Sequence, residues 1–318
     1  MAVYTQVDDL TLSHFLSHYD IGEATSFKGI AEGVENSNYL LATTKGQYIL
    51  TLYEKRTNPA DLPYFLGMME HLASKGLPAP LPIQDIEGNA LQTLAGKPAC
   101  IISFLSGVSI DHMTESHCAA LGLILAEMHK ALADYSAERP NGLSLEGWKK
   151  LYAATNGADT VSLGLASFIE EELNFLSENW PKSLPTGTIH ADMFPDNVFF
   201  TGTKITGIID FYFGCTDIYA YDIAVCINSW CFDNNHTFQP AKAKRLVEMY
   251  DTARHLTPAE MDALPVLCRG AALRFLLTRL YDWLNPVEGA VVRPKDPMDY
   301  VKRLRFHQQV KDAASYVI

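Results

Sequence analysis

Three oxygen-bearing side chains stand out by their spacing: Asp192, Asn197 and Asp210. Asp192 could accept the proton of an attacking hydroxyl group, because a carboxylate is a suitable general base. Asp210 could give a full negative charge to a magnesium ion and Asn197 a neutral carbonyl oxygen, since magnesium prefers oxygen ligands. Phosphoryl transfer needs mainly positioned oxygens and cancelled charge. The three residues therefore predict a magnesium-assisted transfer of a phosphoryl group to a hydroxyl.

The residues around Asp192 have the spacing of a kinase catalytic loop. His190, Asp192 and Asn197 follow the pattern H-x-D-x-x-x-x-N. Two short apolar runs after Asn197 flank residues 201–204, which include a glycine, and predict a β-hairpin. The hairpin would bring Asn197, at its start, beside Asp210, at its end. We assign His190 to the catalytic site with Asp192; the alternative is that it holds the loop through a hydrogen bond and transfers no proton.

A further acidic residue, Asp222, lies in an apolar run at residues 221–225. A buried carboxylate must be hydrogen bonded. We therefore expect Asp222 to act as a structural brace for the catalytic loop. The alternative is an ordinary helix N-cap, in which its side chain accepts a hydrogen bond from the first turn of a helix.

The first third of the chain has the pattern of a small β-rich lobe. Apolar and β-branched runs at 38–43 and 47–53 are separated by a glycine turn, which predicts a hairpin. A second pair of strands is predicted at 90–94 and 98–105. Between the two pairs, residues 59–74 have helical periodicity and end before a glycine.

From residue 107 onward the pattern becomes mainly helical. The predicted helices cover residues 116–132, 163–179, 241–253, 258–284 and 297–314. The sequence thus predicts an α+β fold of two lobes. A small antiparallel β-rich N-lobe at 1–106 would bind the nucleotide, and a larger helical C-lobe at 107–318 would carry catalysis and substrate binding. A cleft is expected near the boundary at 105–108.

Composition limits the classes of partner. The 318 residues are 48% hydrophobic and carry a formal net charge of -12. An acidic surface repels phosphate backbones, so we expect no nucleic-acid partner. No segment approaches the roughly 20 apolar residues that span a bilayer, and we find no signal peptide, so we expect a cytoplasmic protein with no membrane partner. The six cysteines form no CxxC pair and are expected to be buried free thiols.

Together these motifs resemble a known family. The loop and hairpin motifs, with Asp222, are similar to those of the aminoglycoside phosphotransferase/choline kinase superfamily. Residues 33–39, 48–54, 190–200 and 272–282 extend the resemblance over almost the whole chain, to the kinase-fold homoserine kinases. The resemblance implies a protein-kinase-like fold with ATP and Mg²⁺ as cofactors. It also implies L-homoserine as the small-molecule substrate, phosphorylated on its side-chain hydroxyl in threonine biosynthesis.

The resemblance also implies a set of nucleotide-binding residues. They are Gly33, Asn36, Ser37, Asn38 and Phe104. Gly29 and Gly33 flank a turn whose backbone amides could cradle phosphates, as in other anion-binding turns. The alternative is a plain hairpin turn.

Three positions depart from the wider kinase pattern. Kinase-like proteins usually carry a strand lysine that pairs the phosphates, and Thr51 occupies that position. Lys55 or Arg56 could reach the phosphates instead. Without a lysine at Thr51, the expected acidic partner on the helix, Glu70, could equally be a solvated surface residue. Tyr212 stands where many kinases have glycine, which metal binding does not require within this superfamily.

Arginines on the predicted helix at 258–284 are candidates for holding the carboxylate of the acceptor. Arg269, Arg274 and Arg279 are five residues apart. Successive side chains therefore point about 140° away from each other and cannot all line one pocket. We assign Arg274 to the carboxylate, because its fork matches two oxygens and it lies deepest in the apolar run. The alternative is a structural salt bridge with a buried acid.

Two other functions remain open. One is a related kinase acting on choline, ethanolamine, methylthioribose or an aminoglycoside; Trp230, Tyr281 and Trp283 could build an aromatic pocket for a cationic acceptor. The other is a catalytically impaired nucleotide-binding module, suggested by the absent strand lysine. The complete catalytic set argues against this second alternative. The sequence makes no prediction of the oligomeric state.

Overall fold

A computed structural model of the protein describes residues 5–30, 36–54, 57–286 and 294–317. The chain divides into two units. The first contains Met1–Ser106 and Gly207–Tyr212, and the second contains Gly107–Thr206, Phe213–Glu288 and Pro294–Ile318. The sequence placed all of 107–318 in the second lobe, whereas Gly207–Tyr212 packs within the first unit. The boundary after Ser106 stays a prediction.

The first unit is built on an antiparallel sheet. Its described strands are β1 (Ala24–Gly29), β2 (Ser37–Thr43), β3 (Gln47–Leu52), β4 (Pro82–Ile83), β5 (Gln92–Leu94) and β6 (Lys97–Ser103). Their order is β1-β2-β3-β6-β4, with β5 also paired to β6. Residues of β2 alternate between buried and half-buried, so one face of the strand packs on the core. Both predicted strand pairs are confirmed, as β2 with β3 and β5 with β6.

The described residues of the first unit also form two α-helices, α1 (Asp9–Leu16) and α2 (Leu62–Ser74). The α1 helix begins after Asp8, whose carboxylate accepts a hydrogen bond from the backbone N–H of Thr11 at 2.8 Å. Buried side chains of α1 share one apolar cluster with those of β2, β3 and β6. We predicted α2 but neither α1 nor β1. The reason is that α1 has three buried residues and β1 is exposed at nearly every position.

The second unit is mainly helical. Its described helices are α3 (Glu115–Ala131), α4 (Leu145–Ala153), α5 (Ala158–Val161), α6 (Leu165–Asn179), α7 (Tyr219–Trp230), α8 (Pro240–Ala253), α9 (Pro258–Leu284), α10 (Met298–Gln309) and α11 (Ala314–Val317). Four later strands form two ribbons, β7 (Thr186–Ile189) with β10 (Cys215–Ile218) and β8 (Val198–Thr201) with β9 (Lys204–Ile208). The predicted α+β class is confirmed.

Most of the predicted helices are confirmed, as α3, α6, α8 and α9. The last one, expected at 297–314, is divided into α10 and α11, because the backbone of Val310 is extended. The α7 helix was missed. Its residues 220–230 are all buried, so it lacks the one-sided apolar pattern by which a surface helix is recognised.

The α9 helix is central to the second unit and contacts α4, α6, α7 and α10. Thr257 and Glu260 form a capping box at its start, in which each side chain accepts from the other's backbone N–H. A Cβ atom added to Gly270 would lie 2.3 Å from the ring of Trp180, so glycine allows close packing here. The helix thereby fixes the direction of its three arginines.

The cysteines are all buried and free, as expected. Burial raises the pKa of the Cys100 and Cys215 thiols to about 12. Neither is a thiolate at neutral pH, so neither is a nucleophile there. Among the described helices, none is long and apolar enough to cross a bilayer.

Candidate functional site

The catalytic loop leads from β7 to β8 and ends in a 3₁₀ turn at Pro195–Asn197. Within it, Ala191 has a φ angle of 62°. This left-handed conformation costs an alanine about 1–2 kcal/mol, so neighbouring contacts must hold it in place. The buried His190 contributes one such contact, because its Nδ1 accepts a hydrogen bond from the backbone N–H of Asp192 at 3.3 Å. This geometry corresponds to the architectural alternative for His190.

Asp222 lies against the loop from the first turn of α7. Its carboxylate accepts hydrogen bonds from the backbone N–H groups of His190, at 2.9 Å, and Ala191, at 2.8 Å. Burial alone would raise the pKa of Asp222, but the hydrogen bond with His129, with smaller effects from His190, holds that pKa below its ordinary value. These are the contacts a brace requires. One ionised carboxylate fixes two consecutive peptide groups.

His129, on α3, was missed by the sequence analysis. Its Nε2 lies 3.1 Å from Asp222 Oδ2 and its Nδ1 lies 2.7 Å from the hydroxyl of Tyr250. Burial lowers the pKa of His129, against the opposing effect of Asp222. A neutral imidazole can then donate to Asp222 and accept from Tyr250. The signal in the sequence was a histidine among the apolar positions of the predicted helix.

Asn197 closes the loop back onto Asp192. Its Nδ2 donates to the backbone carbonyl of Asp192 at 2.9 Å and to carboxylate Oδ2 at 3.3 Å. Because the nitrogen side of the amide faces the loop, the oxygen side is turned away from it. The Asp192 side chain keeps 15% of its surface exposed. The loop therefore presents one carboxylate and one oriented amide oxygen.

Arg274, from the middle of α9, lies against the same loop. Its Nη1 donates to the carbonyl oxygen of Ala191, and its Nη2 lies 3.6 Å from Asp192 Oδ1. The guanidinium carbon lies 4.5 Å from the centre of the Phe275 ring and 5.2 Å from that of Phe213. Only 2% of the residue is exposed. The predicted carboxylate clamp is thus in contact with the predicted base.

The other two arginines of α9 have different partners. Arg269 forms a two-pronged contact with Glu172, at 2.7 and 2.6 Å. Arg279 pairs with Asp299 at 3.1 Å. The prediction that the three arginines do not line one pocket is confirmed.

Asp210 follows the hairpin of β8 and β9 and belongs to the first unit. Its φ angle is 64°, again in the left-handed region. Two residues on, the hydroxyl of Tyr212 lies 3.1 Å from that of Tyr53, and its ring packs edge-on against Phe65 of α2, with centres 5.6 Å apart. Burial raises the pKa of Tyr212, so the hydroxyl stays neutral. Tyr212 thus fixes the segment that carries Asp210.

Thr51, at the position of the kinase lysine, pairs directly across the sheet with Asn38. Its hydroxyl donates to Asn38 Oδ1 at 2.8 Å. Nearby, the hydroxyl of Tyr53 lies 3.1 Å from Cys100 Sγ. The position is therefore occupied by neutral hydrogen-bonding groups. The two alternative cations, at residues 55 and 56, lie outside the described residues.

Asn36 and Ser37 lie in a polar cluster around Glu54. Asn36 Oδ1 accepts from the backbone N–H of Glu54 at 3.3 Å, and Ser37 Oγ donates to Glu54 Oε1 at 2.8 Å. Lys97 pairs with the second carboxylate oxygen at 3.0 Å. Both side chains are buried and anchor the start of β2. Their predicted contacts with a nucleotide stay predictions.

The remaining nucleotide-site predictions have different outcomes. Gly33 lies outside the described residues. Phe104, just after β6, is 40% exposed and offers an open aromatic face. Glu70 is exposed and accepts a hydrogen bond from Gln84 at 3.3 Å, which agrees with the solvated-surface alternative.

Each of the two predicted metal ligands has an oxygen donor of the kind that magnesium prefers. The amide oxygen of Asn197 is oriented by the hydrogen bonds of its own nitrogen, and Asp210 supplies a carboxylate. Magnesium usually takes one or two protein oxygens and completes its shell with water and phosphate oxygens. Within the described part of the chain, no three His, Cys, Asp or Glu side chains converge on a metal site.

One of the three residues proposed for an aromatic pocket around a cationic acceptor is not accessible. Trp230 is fully buried, and its indole N–H donates to the carbonyl of Met193 at 2.8 Å. It packs in the core beneath the catalytic loop and is not available to an acceptor. Tyr281 and Trp283 are partly exposed.

Comparison with known proteins defines the class. The family described as "Phosphotransferase enzyme family" matches residues 26–267. The chain therefore belongs to this family of phosphotransferases. It is 56% identical over 317 residues to a homoserine kinase of Brucella anthropi, across 99% of this chain and 97% of the relative. It is 57% identical to a homoserine kinase of Xanthobacter autotrophicus, across 99% of each.

Solved structures share the fold. An amicoumacin kinase in complex with AMP-PNP, Ca²⁺ and Ami aligns with a TM-score of 0.72 at 14% identity, covering 95% of this chain and 92% of the other. A spectinomycin phosphotransferase in complex with ADP and spectinomycin aligns with a TM-score of 0.67 at 15% identity, covering 98% of each. Identities this low establish the fold alone. The predicted kinase-like fold is confirmed.

Proposed function

We propose that the protein transfers the γ-phosphoryl group of ATP to the side-chain hydroxyl of L-homoserine, giving O-phospho-L-homoserine and ADP. The observation that carries this proposal is the 56–57% identity to homoserine kinases over nearly the full length of both chains. The complete loop of Asp192 and Asn197, held by Asp222, supports an active enzyme. The nucleotide in two of the solved relatives supports ATP as the donor.

Each site residue has a proposed role. Asp192 accepts the proton of the attacking hydroxyl, for which its carboxylate is partly exposed and held by Asn197. Asn197 and Asp210 are the protein ligands of Mg²⁺, which when bound cancels phosphate charge. His190 keeps the loop in shape and transfers no proton. The nucleotide-binding roles of Gly33, Asn36, Ser37, Asn38 and Phe104 stay proposals.

The proposed function is tested by an acceptor screen. ADP formation is measured with homoserine, choline, ethanolamine, methylthioribose and an aminoglycoside, each with and without Mg²⁺. We expect Mg²⁺-dependent turnover with L-homoserine, and a phosphomonoester of homoserine in the ³¹P spectrum of the product. Turnover with another acceptor but not homoserine would reject the acceptor and keep the kinase. Mg²⁺-independent nucleotide binding without turnover on any acceptor would favour the impaired module.

A further inference from the structure

Arg274 has contacts that do not suit a substrate clamp. Its guanidinium reaches the backbone of Ala191 and the carboxylate of Asp192, and both belong to the catalytic loop. We infer that Arg274 is a positioning residue, which holds the Ala191–Asp192 peptide so that the base points at the acceptor hydroxyl. The inference rests on the proposed function in that Asp192 is taken as the base. The inference implies that a group other than Arg274 binds the carboxylate of the acceptor.

The two peptide groups that flank the Cα atom of Ala191 are each held by a charged side chain. On one side Asp222 accepts from the N–H of Ala191 at 2.8 Å. On the other side Arg274 Nη1 donates to the carbonyl oxygen of Ala191. Ala191 is the loop residue with the left-handed φ of 62°. A strained residue keeps such a conformation only where the surroundings overdetermine it, and the two opposite charges provide this.

The burial of Arg274 points the same way. With 2% of the residue exposed and aromatic rings of Phe213 and Phe275 around the guanidinium, a substrate carboxylate would have to enter a nearly closed space. The substrate carboxylate would also compete with Asp192 for Nη2. Asp192, the proposed base, would then lose its contact with the guanidinium. No hydrogen-bond partner of the buried Nε of Arg274 is found among the described residues. The clamp alternative would operate at this edge of the guanidinium.

The chemistry of homoserine separates the two roles. Its hydroxyl and carboxylate lie at opposite ends of the molecule. An arginine that contacts the base acts at the hydroxyl end, whereas a clamp acts at the carboxylate end. A substrate without the carboxylate, 3-aminopropan-1-ol, therefore distinguishes them, because it keeps the hydroxyl and the amine.

The experiment compares wild type, Arg274→Met and Arg274→Lys with both acceptors. For a positioning residue, kcat falls about 100-fold in Arg274→Met with both acceptors, since small misplacement of a reacting group costs roughly that much. The ratio of kcat/KM for homoserine to that for 3-aminopropan-1-ol then stays within about threefold of wild type. Arg274→Lys keeps the positive charge beside Asp192 but not the paired N–H donors of the guanidinium. Its kcat should therefore lie between those of Arg274→Met and the wild type.

The inference is overturned if that ratio falls by about 10- to 100-fold while kcat is kept, because a lost clamp removes about 1.5–3 kcal/mol of binding to the carboxylate alone. Arg269→Met is the control for loss of a half-buried arginine, since its partner Glu172 lies on α6. We expect it to keep kcat. The thermal midpoint of each variant is measured alongside; if Arg274→Met does not fold, the ratio in Arg274→Lys decides.

A second assay distinguishes failure of the proposed function from failure of the role inferred for Arg274. If the wild type does not phosphorylate homoserine, the same three proteins are compared by their slow hydrolysis of ATP, in which water replaces the acceptor. A positioning role again predicts a lower rate in Arg274→Met. An unchanged rate of hydrolysis would reject it, whatever the acceptor is.

Discussion

Ala191 and Asp210 lie near the two ends of the predicted catalytic motif and are two of the four non-glycine residues with a positive φ angle in the described part of the chain. Their surroundings differ. Ala191 lies between the charged groups of Asp222 and Arg274. Near Asp210, the described contacts of Tyr212 are with a tyrosine hydroxyl and an aromatic ring. Charged groups thus contact the backbone of Ala191, whereas these contacts of Tyr212 are with neutral groups.

The difference follows from what each segment has to do. The catalytic loop must aim its own carboxylate, and charge-assisted hydrogen bonds are short and directional. In the proposed function, the Asp210 segment offers its own carboxylate to a cation. We therefore expect substitutions in the loop to act through charge and orientation, and those around Tyr212 to act through packing. The following variants test this comparison.

The largest effect is expected for Asp192→Asn. Loss of the general base should lower kcat by about 10²–10⁴, with ATP binding largely intact. A stopped assay measures kcat, and calorimetry measures the affinity for ATP. Near-full turnover in the variant would remove Asp192 from the role of base.

Asp210→Ala should have the next largest effect, on metal binding and on rate together. Removal of the charged ligand is expected to lower kcat by about 100-fold or more and to raise the Mg²⁺ concentration needed for half-maximal rate. A magnesium titration of wild type and variant measures this. Unchanged magnesium dependence would mean that the metal is held elsewhere.

Asp222→Asn should act on the loop without touching the substrate. Asparagine can accept at one oxygen, so one of the two backbone N–H groups loses its partner. We expect kcat to fall about 10- to 100-fold and stability by about 3 kcal/mol. The controls are KM for both substrates, which should change little. A large change in KM with normal kcat would argue against the brace.

The pH dependence of this variant sharpens the comparison. The pKa of Asp222 lies below its ordinary value of 3.8, so its contribution to stability is complete above pH 3.8. That contribution is lost as the pH falls through the lower pKa of the folded protein. The difference in thermal midpoint between wild type and Asp222→Asn should therefore shrink below pH 3.8. A constant difference down to pH 2 would contradict this.

Tyr212→Phe should have the smallest effect. It removes one neutral hydrogen bond to Tyr53 and keeps the ring against Phe65. A loss of about 0.5–1.5 kcal/mol is expected, with at most about a 10-fold rise in the magnesium requirement. Tyr152→Phe, which loses a hydroxyl bonded to Glu170 at 3.0 Å, is the matched control. If Tyr212→Phe lowered kcat and stability as much as Asp222→Asn, the proposed contrast between charged and neutral contacts would be wrong.

The loop and the hairpin that carry the candidate site residues could be predicted from the sequence. Asp192, Asn197 and Asp210 are close together along the chain, and their spacing is dictated by a loop and a hairpin. The partners that hold the loop could not be predicted. His129 lies 93 residues before Asp222, and Arg274 lies 83 residues after Ala191. Such pairings depend on tertiary packing, which periodicity does not record.

The fold shows the same division. The amphipathic α3 and the capped α9 were predicted from their periodicity. The fully buried α7, which carries Asp222, was not, because a helix that is apolar on all sides has no period to read. The sequence therefore shows the motif, and the structure adds the buried elements that pack around it.

The burial of all six native cysteines has a practical consequence. A thiol-specific reagent attacks an exposed thiolate, so the folded protein should resist maleimides without any cysteine being replaced. A single cysteine introduced at a highly exposed position, such as Leu163, would then be the one site of rapid modification. A fluorophore or spin label could be attached there to the otherwise unaltered enzyme, and its signal followed while nucleotide and acceptor are added.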